Sequence, residues 1–332
     1  MTHPTYDALL LLSFGGPEGP DDVMPFLENV TRGRGVPRER LLEVAEHYGH
    51  FGGKSPLNEQ VRDLGRRLGA ALDASGTRLP IYIGHRNWKP FLADTVAEMK
   101  AAGVTRALAF ATSAFSSYSG CRQYLEDIDR ARAAVGEGAP VIDKIRPFFD
   151  HPRWIEAVSA HVSAALDEVG PGAHVVFTAH SVPLSMASGC DYAAQLAEAA
   201  RLVALRVGAA SSSLAYQSRS GPPAVPWLEP DIRDELRALH AKGVREVVVA
   251  PLGFVSDHVE VLYDLDVEAR ATADELGLAM ARASTASTHP AFISLVEELL
   301  AERARGAPRQ ALGVLPERPD PCANGCCPRG GR

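Results

Sequence analysis

Short runs of apolar residues recur along the chain, and most of them break at glycine, proline or a polar cluster. The first run, residues 8–14, ends at Gly15, Gly16 and Pro17. Unbroken runs of this kind, rich in leucine, valine and isoleucine, are typical of parallel strands that are buried on both faces. Similar runs predict four further strands, near residues 79–84, 106–112, 174–179 and 246–250.

Helical segments lie between these runs, so strands and helices alternate along the chain. This alternation predicts an α/β fold with parallel, doubly wound sheets. The second half also repeats the first: residues 104–117 align without gaps on residues 244–257, and residues 11–17 align on residues 177–183. Any two strand–helix units share some of this pattern. A duplication explains more of it, and it implies two similar lobes around one cleft.

We expect the first lobe to cover residues 5–145 and the second residues 146–307, with the last helix packing back on the first lobe. A tail that contains cysteines and has no periodic pattern follows, residues 308–332. Within the predicted repeat, Phe14 takes the position of His180. The two lobes therefore differ at the strand ends, where open α/β sheets bind their ligands.

The fifth run leads into an acidic helix. Asp257 is a suitable N-cap, and Glu260 three residues later would complete a capping box. Glu260, Asp264 and Glu268 lie at i, i+4 and i+8, so three like charges share one helical face. A solvated acidic face is one interpretation. The other is a row of oxygen ligands that carries a hard divalent cation to or from His258 and Glu260.

His180 and Ser181 follow the fourth run. A histidine at the end of a buried strand projects into the cleft, although a lone histidine is more often structural. Ser181 lacks the G-x-S-x-G surroundings of a hydrolase nucleophile. The segment around Lys54 resembles a phosphate-binding loop, but Tyr48 stands where that motif needs its first glycine, so we reject a nucleotide site.

The composition argues against several classes of function. The chain has 332 residues, 46% hydrophobic and 23% charged, as expected of a globular protein with an ample core. A net charge of −7 argues against a nucleic-acid partner. We expect a cytoplasmic protein with no integral membrane segment, because no signal peptide is visible and the apolar runs are too short to span a bilayer. Five cysteines, an odd number, argue against a disulfide framework.

Six segments, taken together, resemble the ferrochelatases: LLSFGGPEGPDDVMPFL, GGKSPL, RNWKPF, FTAHSVP, YQSRSGPPAVPWLEPD and PLGFVSDHVEVLYDLDVE. The similarity is greatest to the coproporphyrin ferrochelatases of Gram-positive bacteria, particularly the actinobacterial ones. The resemblance implies a chelatase fold of two Rossmann-like lobes with a porphyrin cleft between them. It also implies a lyase-class metal chelatase of heme biosynthesis, which inserts ferrous iron into coproporphyrin III to give coproheme and releases two protons.

The resemblance assigns roles to residues of the cleft. It implies that His180 and Glu260 are catalytic and contact the iron, with His180 accepting pyrrole protons. A neutral imidazole suits that task near pH 7. Asp264 and Glu268 match the family's acidic line to an outer metal site. Phe14 stands where many relatives carry a tyrosine, so an oxygen ligand is absent at that position.

The expected substrate contacts are less specific. His47 stands where relatives often have an arginine, and the arginines of the first lobe could instead belong to a solvated loop. The full predicted set is Phe14, Arg32, Arg34, His47, Ser55, Tyr124 and Trp227. Coproporphyrin III carries four propionates, which favours a rim of cationic groups. The alternatives are protoporphyrin IX as substrate, cobalt or nickel as metal, and a porphyrin or heme carrier without catalysis.

The cysteines predict a further site. In the actinobacterial relatives an internal cysteine and three near the C-terminus often hold a 2Fe–2S cluster, which implies Cys190, Cys322, Cys326 and Cys327 here. Cys121 is then structural, or replaces Cys190. Zinc and free thiols are alternatives on chemical grounds. We expect a monomer whose partners are coproporphyrin III, ferrous iron and the next enzyme of the pathway, coproheme decarboxylase.

Overall fold

The computed structural model describes residues 5–221, 224–316, 322–323 and 325–330. Its strands are β1 Ala8–Ser13, β2 Ile81–His85, β3 Arg106–Ala111, β4 Val141–Lys144, β5 His174–His180, β6 Ser212–Gln217, β7 Glu246–Ala250 and β8 Ala279–Arg282. They form two four-stranded parallel sheets with the orders β2-β1-β3-β4 and β6-β5-β7-β8. The two orders are equivalent, with β1 corresponding to β5 and β3 to β7. The predicted α/β fold of two similar lobes is confirmed.

Helices cover the faces of both sheets. In the first lobe they are α1 Pro20–Val30, α2 Arg38–Gly49, α3 Leu57–Ala74, α4 Leu92–Ala101 and α5 Gln123–Val135. In the second they are α6 Pro152–Val169, α7 Leu184–Ala187, α8 Tyr192–Val207, α9 Ile232–Ala241, α10 Val259–Leu262, α11 Arg270–Leu276 and α12 Pro290–Arg305. Two π-helical segments, Tyr118–Arg122 and Tyr263–Ala269, precede α5 and α11. In the part of the chain described here, no helix is long and apolar enough to cross a membrane.

Burial on both faces explains the unbroken apolar sequence of β1. Every residue of this strand is buried. Leu9 and Leu11 pack into one hydrophobic cluster, whereas Leu10 and Leu12 pack into another on the opposite face. An alternating apolar–polar pattern would leave one face of the sheet without a core to cover it, so a central parallel strand needs apolar residues at every position.

The two lobes share one hydrophobic core. Phe110 of β3 stacks on Phe148 with ring centroids 5.1 Å apart. Phe148 in turn meets Trp154 of α6 at 5.7 Å and Phe292 of α12 at 5.9 Å. Helix α12 also contacts α3 of the first lobe. The cleft therefore lies between lobes that are joined by packed aromatic rings.

The acidic helix begins differently from the prediction. His258, not Asp257, is the N-cap residue, and its side chain makes no capping hydrogen bond. The predicted capping box is therefore wrong. Asp257 instead forms an ion pair with Arg282 at 3.1 Å, and its backbone N–H donates to Gln60 of α3 at 2.9 Å. A largely shielded charge partner and a contact from the other lobe outcompete a local cap.

The described parts of the C-terminal tail contact the second lobe at several points. The N–H of Leu312 donates to the carbonyl of Asp150 at 2.9 Å, and that of Val314 donates to Glu198 at 3.0 Å. Farther on, Pro328 lies against Gly189, leaving no room for a Cβ there. These contacts hold a segment that has no regular secondary structure of its own.

Candidate active site

His180, the last residue of β5, has a defined tautomer. Its Nδ1 lies 2.5 Å from the carbonyl oxygen of Ser181. A carbonyl oxygen can only accept, so Nδ1 carries the hydrogen. Nε2 is then free to accept a proton, and it lies 3.9 Å from Oε2 of Glu260. The arrangement suits a base whose orientation is fixed by the backbone that follows it.

Glu260 lies among groups from both lobes. The Nδ1 atom of His258 is 3.8 Å from Glu260 Oε2. Burial lowers the pKa of His258, although Glu260 opposes this effect. On the opposite wall, burial raises the pKa of the Tyr48 phenol, and the nearby Glu260 carboxylate raises it further. Tyr48 could not be predicted from local sequence, because its proximity to Glu260 depends on the packing of α2 against α10.

The structure brings the three predicted carboxylates together. Asp264 lies in the π-helical segment, and burial raises its pKa to about 7, with Glu260 and Glu268 adding to the effect. Unlike Asp264, Glu268 has a cationic neighbour: Arg233 lies 3.5 Å away. A row with one neutralised end and one half-buried carboxylate can pass a divalent cation inward by exchanging oxygen ligands.

Two residues at the end of β6 hold Asp264. Gln217 Nε2 donates to Asp264 Oδ2 at 3.3 Å, and the Ser218 hydroxyl donates to the same oxygen. Ser218 lowers the pKa of Asp264, opposing the effect of burial. Sequence reasoning missed both donors, because they lie 46 and 47 positions from Asp264 along the chain.

His47 meets the second lobe rather than standing free at the rim. Its ring stacks on Tyr263 with centroids 3.7 Å apart and planes 7° apart. Burial lowers the pKa of His47, and Glu268 opposes that shift. The predicted role of His47 as a propionate contact stays a prediction, and the contact observed is a bridge between the lobes.

Phe14 follows β1 as His180 ends β5, as the repeat predicted. Its ring is 38% exposed and lies 6.3 Å from Phe26. Phe26 also contacts Tyr48 and Trp88, each at 6.0 Å. This aromatic group gives the first lobe an apolar wall suited to a flat macrocycle, and it offers no metal ligand at Phe14.

The other predicted substrate contacts differ in exposure. Arg32 and Arg34 lie on an exposed turn and form no ion pair with any described residue. Ser55 is buried against Gly16, where a Cβ would come within 2.6 Å of it. In the second lobe, Trp227 bridges to Pro183 and leaves its buried indole N–H without a partner among the described residues. The two arginines are therefore the best placed to bind an anion.

Tyr124 is buried beneath a guanidinium group. Arg86 lies 4.0 Å over its ring, and Nε of Arg86 donates to Asp127 at 2.5 Å. The side chains of Arg86 and Asp127 are only 7% and 6% exposed. This ion pair was not predicted, because Asp127 reads as an ordinary charge on an amphipathic helix.

Only some of the cysteines lie close to one another. The Cys322 thiol hydrogen-bonds with Cys121, which together with burial raises the pKa of Cys322, and Cys326 is also close. The Cys190 thiol donates to the carbonyl of Met186 at 3.3 Å. Across the described ranges, no group of three or more histidine, cysteine or acidic side chains is arranged to hold a metal ion. The thiols fit a sulfur-ligated group in type, and the described geometry is not that of a closed site.

Comparison with known proteins identifies the family. The ferrochelatase family model matches residues 6–304. The chain is 56% identical over 338 residues to the coproporphyrin III ferrochelatase of Nocardia farcinica, covering 97% of this chain and 96% of that one. It is 55% identical over 329 residues to the ferrochelatase of Rhodopirellula baltica, covering 98% and 94% of the two chains.

Solved structures extend the similarity of fold. The sirohydrochlorin chelatase SirB of Bacillus subtilis in complex with cobalt superposes with a TM-score of 0.55 at 13% identity, covering 91% of this chain and 97% of that one. SirB with Fe3+ gives a TM-score of 0.58 at 14% identity, covering 91% and 98%. The family model, the close relatives and the two-lobed fold agree, and the chain belongs to the ferrochelatase family.

Proposed function

We propose that this protein inserts ferrous iron into coproporphyrin III, giving coproheme and releasing two protons. The observation that carries the proposal is the fixed tautomer of His180, whose Nε2 is free to accept and faces Glu260 at 3.9 Å. Iron enters as the substrate. Four pyrrole nitrogens bind it, and two of them must first lose their hydrogens.

His180 Nε2 accepts the two pyrrole protons one after the other and releases each to solvent, and each time the imidazolium is held by the Ser181 carbonyl and the Glu260 carboxylate. Asp264 and Glu268 supply iron along the acidic face. Their carboxylate oxygens match the ligand preference of a hard divalent cation, and Asp264 lies nearer to Glu260 and His180. The exposed ring of Phe14, which packs on the buried Phe26, offers the macrocycle an apolar contact.

Coproporphyrin III is the preferred substrate because the first lobe offers unpaired cations at its rim. Arg32 and Arg34 are exposed and have no ion-pair partner among the described residues. Each can grip a carboxylate with two hydrogen bonds. The relatives from Nocardia farcinica and Mycolicibacterium smegmatis, 56% and 53% identical, are named coproporphyrin III ferrochelatases, which supports the same choice.

The test is a comparison of kcat/KM for coproporphyrin III and protoporphyrin IX under anaerobic conditions with ferrous iron. We expect a clear preference for coproporphyrin III. A preference for protoporphyrin IX would overturn the substrate. Binding of either porphyrin without repeated turnover would instead identify a carrier, and faster insertion of cobalt or nickel than of iron would change the metal.

We further propose a 2Fe–2S cluster on the cysteines of the tail, Cys322, Cys326 and Cys327, with Cys190 as the fourth ligand. The proximity of Cys322 to Cys326 supports a sulfur-ligated group, and the hydrogen bond to Cys121 makes that residue the competitor for the fourth position. When bound, the cluster would fasten the tail to the body. Metal insertion needs no electron transfer, so it has no step in the reaction.

Iron and acid-labile sulfide in equal amounts in the purified protein would support the cluster. One zinc per chain would instead indicate a zinc site. Cys190→Ser and Cys121→Ser are the matched pair. We expect cluster loss in the first variant and retention in the second. The opposite result would move the fourth ligand to Cys121.

A further inference from the structure

We propose that Gln60 is a positioning residue, which fixes the start of helix α10 across the boundary between the lobes so that Glu260 faces His180. The inference rests on the proposed roles of His180 and Glu260. Gln60 lies on α3 of the first lobe, and Glu260 lies in the first turn of α10 in the second. The connection between them is Asp257, three positions before Glu260, which contacts Gln60 directly.

The Gln60 side chain joins two loops of the second lobe. Its Oε1 atom accepts a hydrogen bond from the Asp257 backbone N–H at 2.9 Å and another from the Ser287 hydroxyl at 3.4 Å. Asp257 lies in the loop after β7, and Ser287 lies in the loop after β8, the neighbouring strand. A single oxygen of the first lobe therefore links the loops that follow two adjacent strands of the second.

Helix α10 needs such a contact because it has no local cap. Its N-cap residue is His258, whose side chain makes no capping hydrogen bond. The preceding residue, Asp257, is held at two points: Arg282 pairs with its carboxylate at 3.1 Å, and Gln60 accepts from its N–H. Arg282 also pairs with Asp266 at 2.7 Å, in the π-helical segment that follows α10. The chain therefore enters and leaves α10 between fixed points.

The surroundings of Gln60 favour a role in position rather than in packing. Its side chain is half-buried and lines a cavity of about 670 Å³, together with Asp257, Ser287 and other residues of both lobes. A change at Gln60 therefore removes hydrogen bonds without emptying a packed core. The distance at stake is the 3.9 Å between Glu260 Oε2 and His180 Nε2. A misplacement of about 1 Å at a reacting group can lower a rate about 10²-fold.

Matched substitutions at Gln60 test the role. Gln60→Met keeps the length of the side chain and removes the acceptor, whereas Gln60→Glu keeps an oxygen that can accept from the Asp257 N–H. We expect Gln60→Met to lower kcat about five- to fifty-fold, with the KM for porphyrin and for iron within about two-fold of wild type. Gln60→Glu should restore kcat to within about three-fold of wild type. Asp73→Asn, at an exposed position of the same helix, is the control and should match wild type.

A second control separates position from stability. Leu72→Ala, on the same helix and 4% exposed, should lower the Tm at least as much as Gln60→Met and leave kcat near wild type at temperatures well below unfolding. Equal losses of kcat in these two variants would overturn the proposal, and so would a wild-type kcat in Gln60→Met.

Hydrogen exchange tests the contact without an activity assay. In Gln60→Met the Asp257 amide should exchange about three- to ten-fold faster than in wild type, because it has lost its acceptor, and the amides of β5 should keep their wild-type rates. Unchanged exchange at Asp257 would overturn the proposal.

A double-mutant cycle tests whether Gln60 acts through Glu260. Adding Gln60→Met to Glu260→Gln should lower kcat no further than Glu260→Gln alone, because the carboxylate that Gln60 positions is already gone. Independent losses that multiply would overturn the proposal. Wild-type protein that inserts iron into no porphyrin would overturn the proposed function and this proposal with it. Turnover by wild type with an unaltered Gln60→Met variant would overturn the positioning role alone.

Discussion

The two lobes use one topology for opposite purposes. Each has the strand order second, first, third, fourth, and in each a π-helical segment follows the third strand. In the first lobe the buried acid after that segment, Asp127, is neutralised by Arg86. In the second lobe Asp264 is half-buried, forms no ion pair with a lysine or arginine among the described residues, and takes hydrogen bonds from neutral groups.

Under the proposed function, two lobes of one topology divide the work between them. A neutralised ion pair makes a rigid wall, whereas a buried carboxylate without a counterion keeps its affinity for an external cation. The residues at the two strand ends differ in the same way. Phe14 in the first lobe offers only an apolar ring, whereas His180 in the second lobe offers a base. In the proposed mechanism the first lobe supplies most of the binding surface, and the second lobe supplies proton and metal transfer.

The largest expected effect comes from exchanging the two strand-end residues for alanine. His180→Ala should lower kcat about 10²- to 10⁴-fold, the usual contribution of a general base. Phe14→Ala should lower kcat less than about ten-fold, since it removes packing and no transferred proton. Steady-state iron insertion measures both, with porphyrin fluorescence quenching to confirm binding. Equal losses in the two variants would contradict the division between lobes.

The next effect is on stability. Arg86→Ala removes one of the two arginines that contact Asp127, from a pair that is 7% and 6% exposed, and should cost about 1.5–3 kcal/mol in the free energy of unfolding, because Arg130 still contacts Asp127. Arg233→Ala breaks a pair in the second lobe that is 42% and 37% exposed and should cost less than about 1 kcal/mol. Urea unfolding at neutral pH compares them. A small loss for Arg86→Ala would mean that the wall of the first lobe does not depend on this pair.

The sequence allowed the sheets to be predicted because a parallel central strand leaves a local signature, an unbroken apolar run such as residues 8–13. The acidic row could also be predicted, because its residues lie close together along the chain. Sequence reasoning missed Ser218, Tyr48 and Arg86, which reach their partners across loops or lobes. Such contacts depend on how distant segments pack, and no local pattern encodes them.

The failed capping box at Asp257 has the same cause. The i, i+3 pattern is a valid local preference, worth about 1 kcal/mol. Arg282 and Gln60 offer partners that are buried or come from the other lobe. Tertiary contacts of this kind override a cap, and they place His258 at the start of the helix.

Asp264 should make the stability of the second lobe depend on pH. Its pKa is raised to about 7, above the value of 3.8 expected when unfolded, so the native state holds the proton more tightly. Stability from this group is fully present below about pH 4 and is lost as pH rises through about 7. Asp264→Asn cannot ionise, so its stability should exceed that of wild type by on the order of 2–4 kcal/mol at pH 8 and by little at pH 4.

Thermal unfolding from pH 4 to pH 8 measures this gap. Asp274→Asn, an exposed position on α11, removes a charge from the same helical region and should show no comparable trend. A gap that stays constant with pH would show that Asp264 is not buried in its charged form.

The smallest expected effect concerns the rim of the first lobe. Arg32→Ala should raise the KM for coproporphyrin III about three- to ten-fold and leave kcat nearly unchanged, because a propionate far from the metal is held equally in the ground and transition states. The size is modest because Arg32 is exposed, and it should shrink further at high salt. Arg78→Ala, an exposed arginine at the other end of the sheet, is the control and should leave KM unchanged. A drop in kcat with unchanged KM in Arg32→Ala would place this residue in the chemistry, which would break the separation between a lobe that binds and a lobe that reacts.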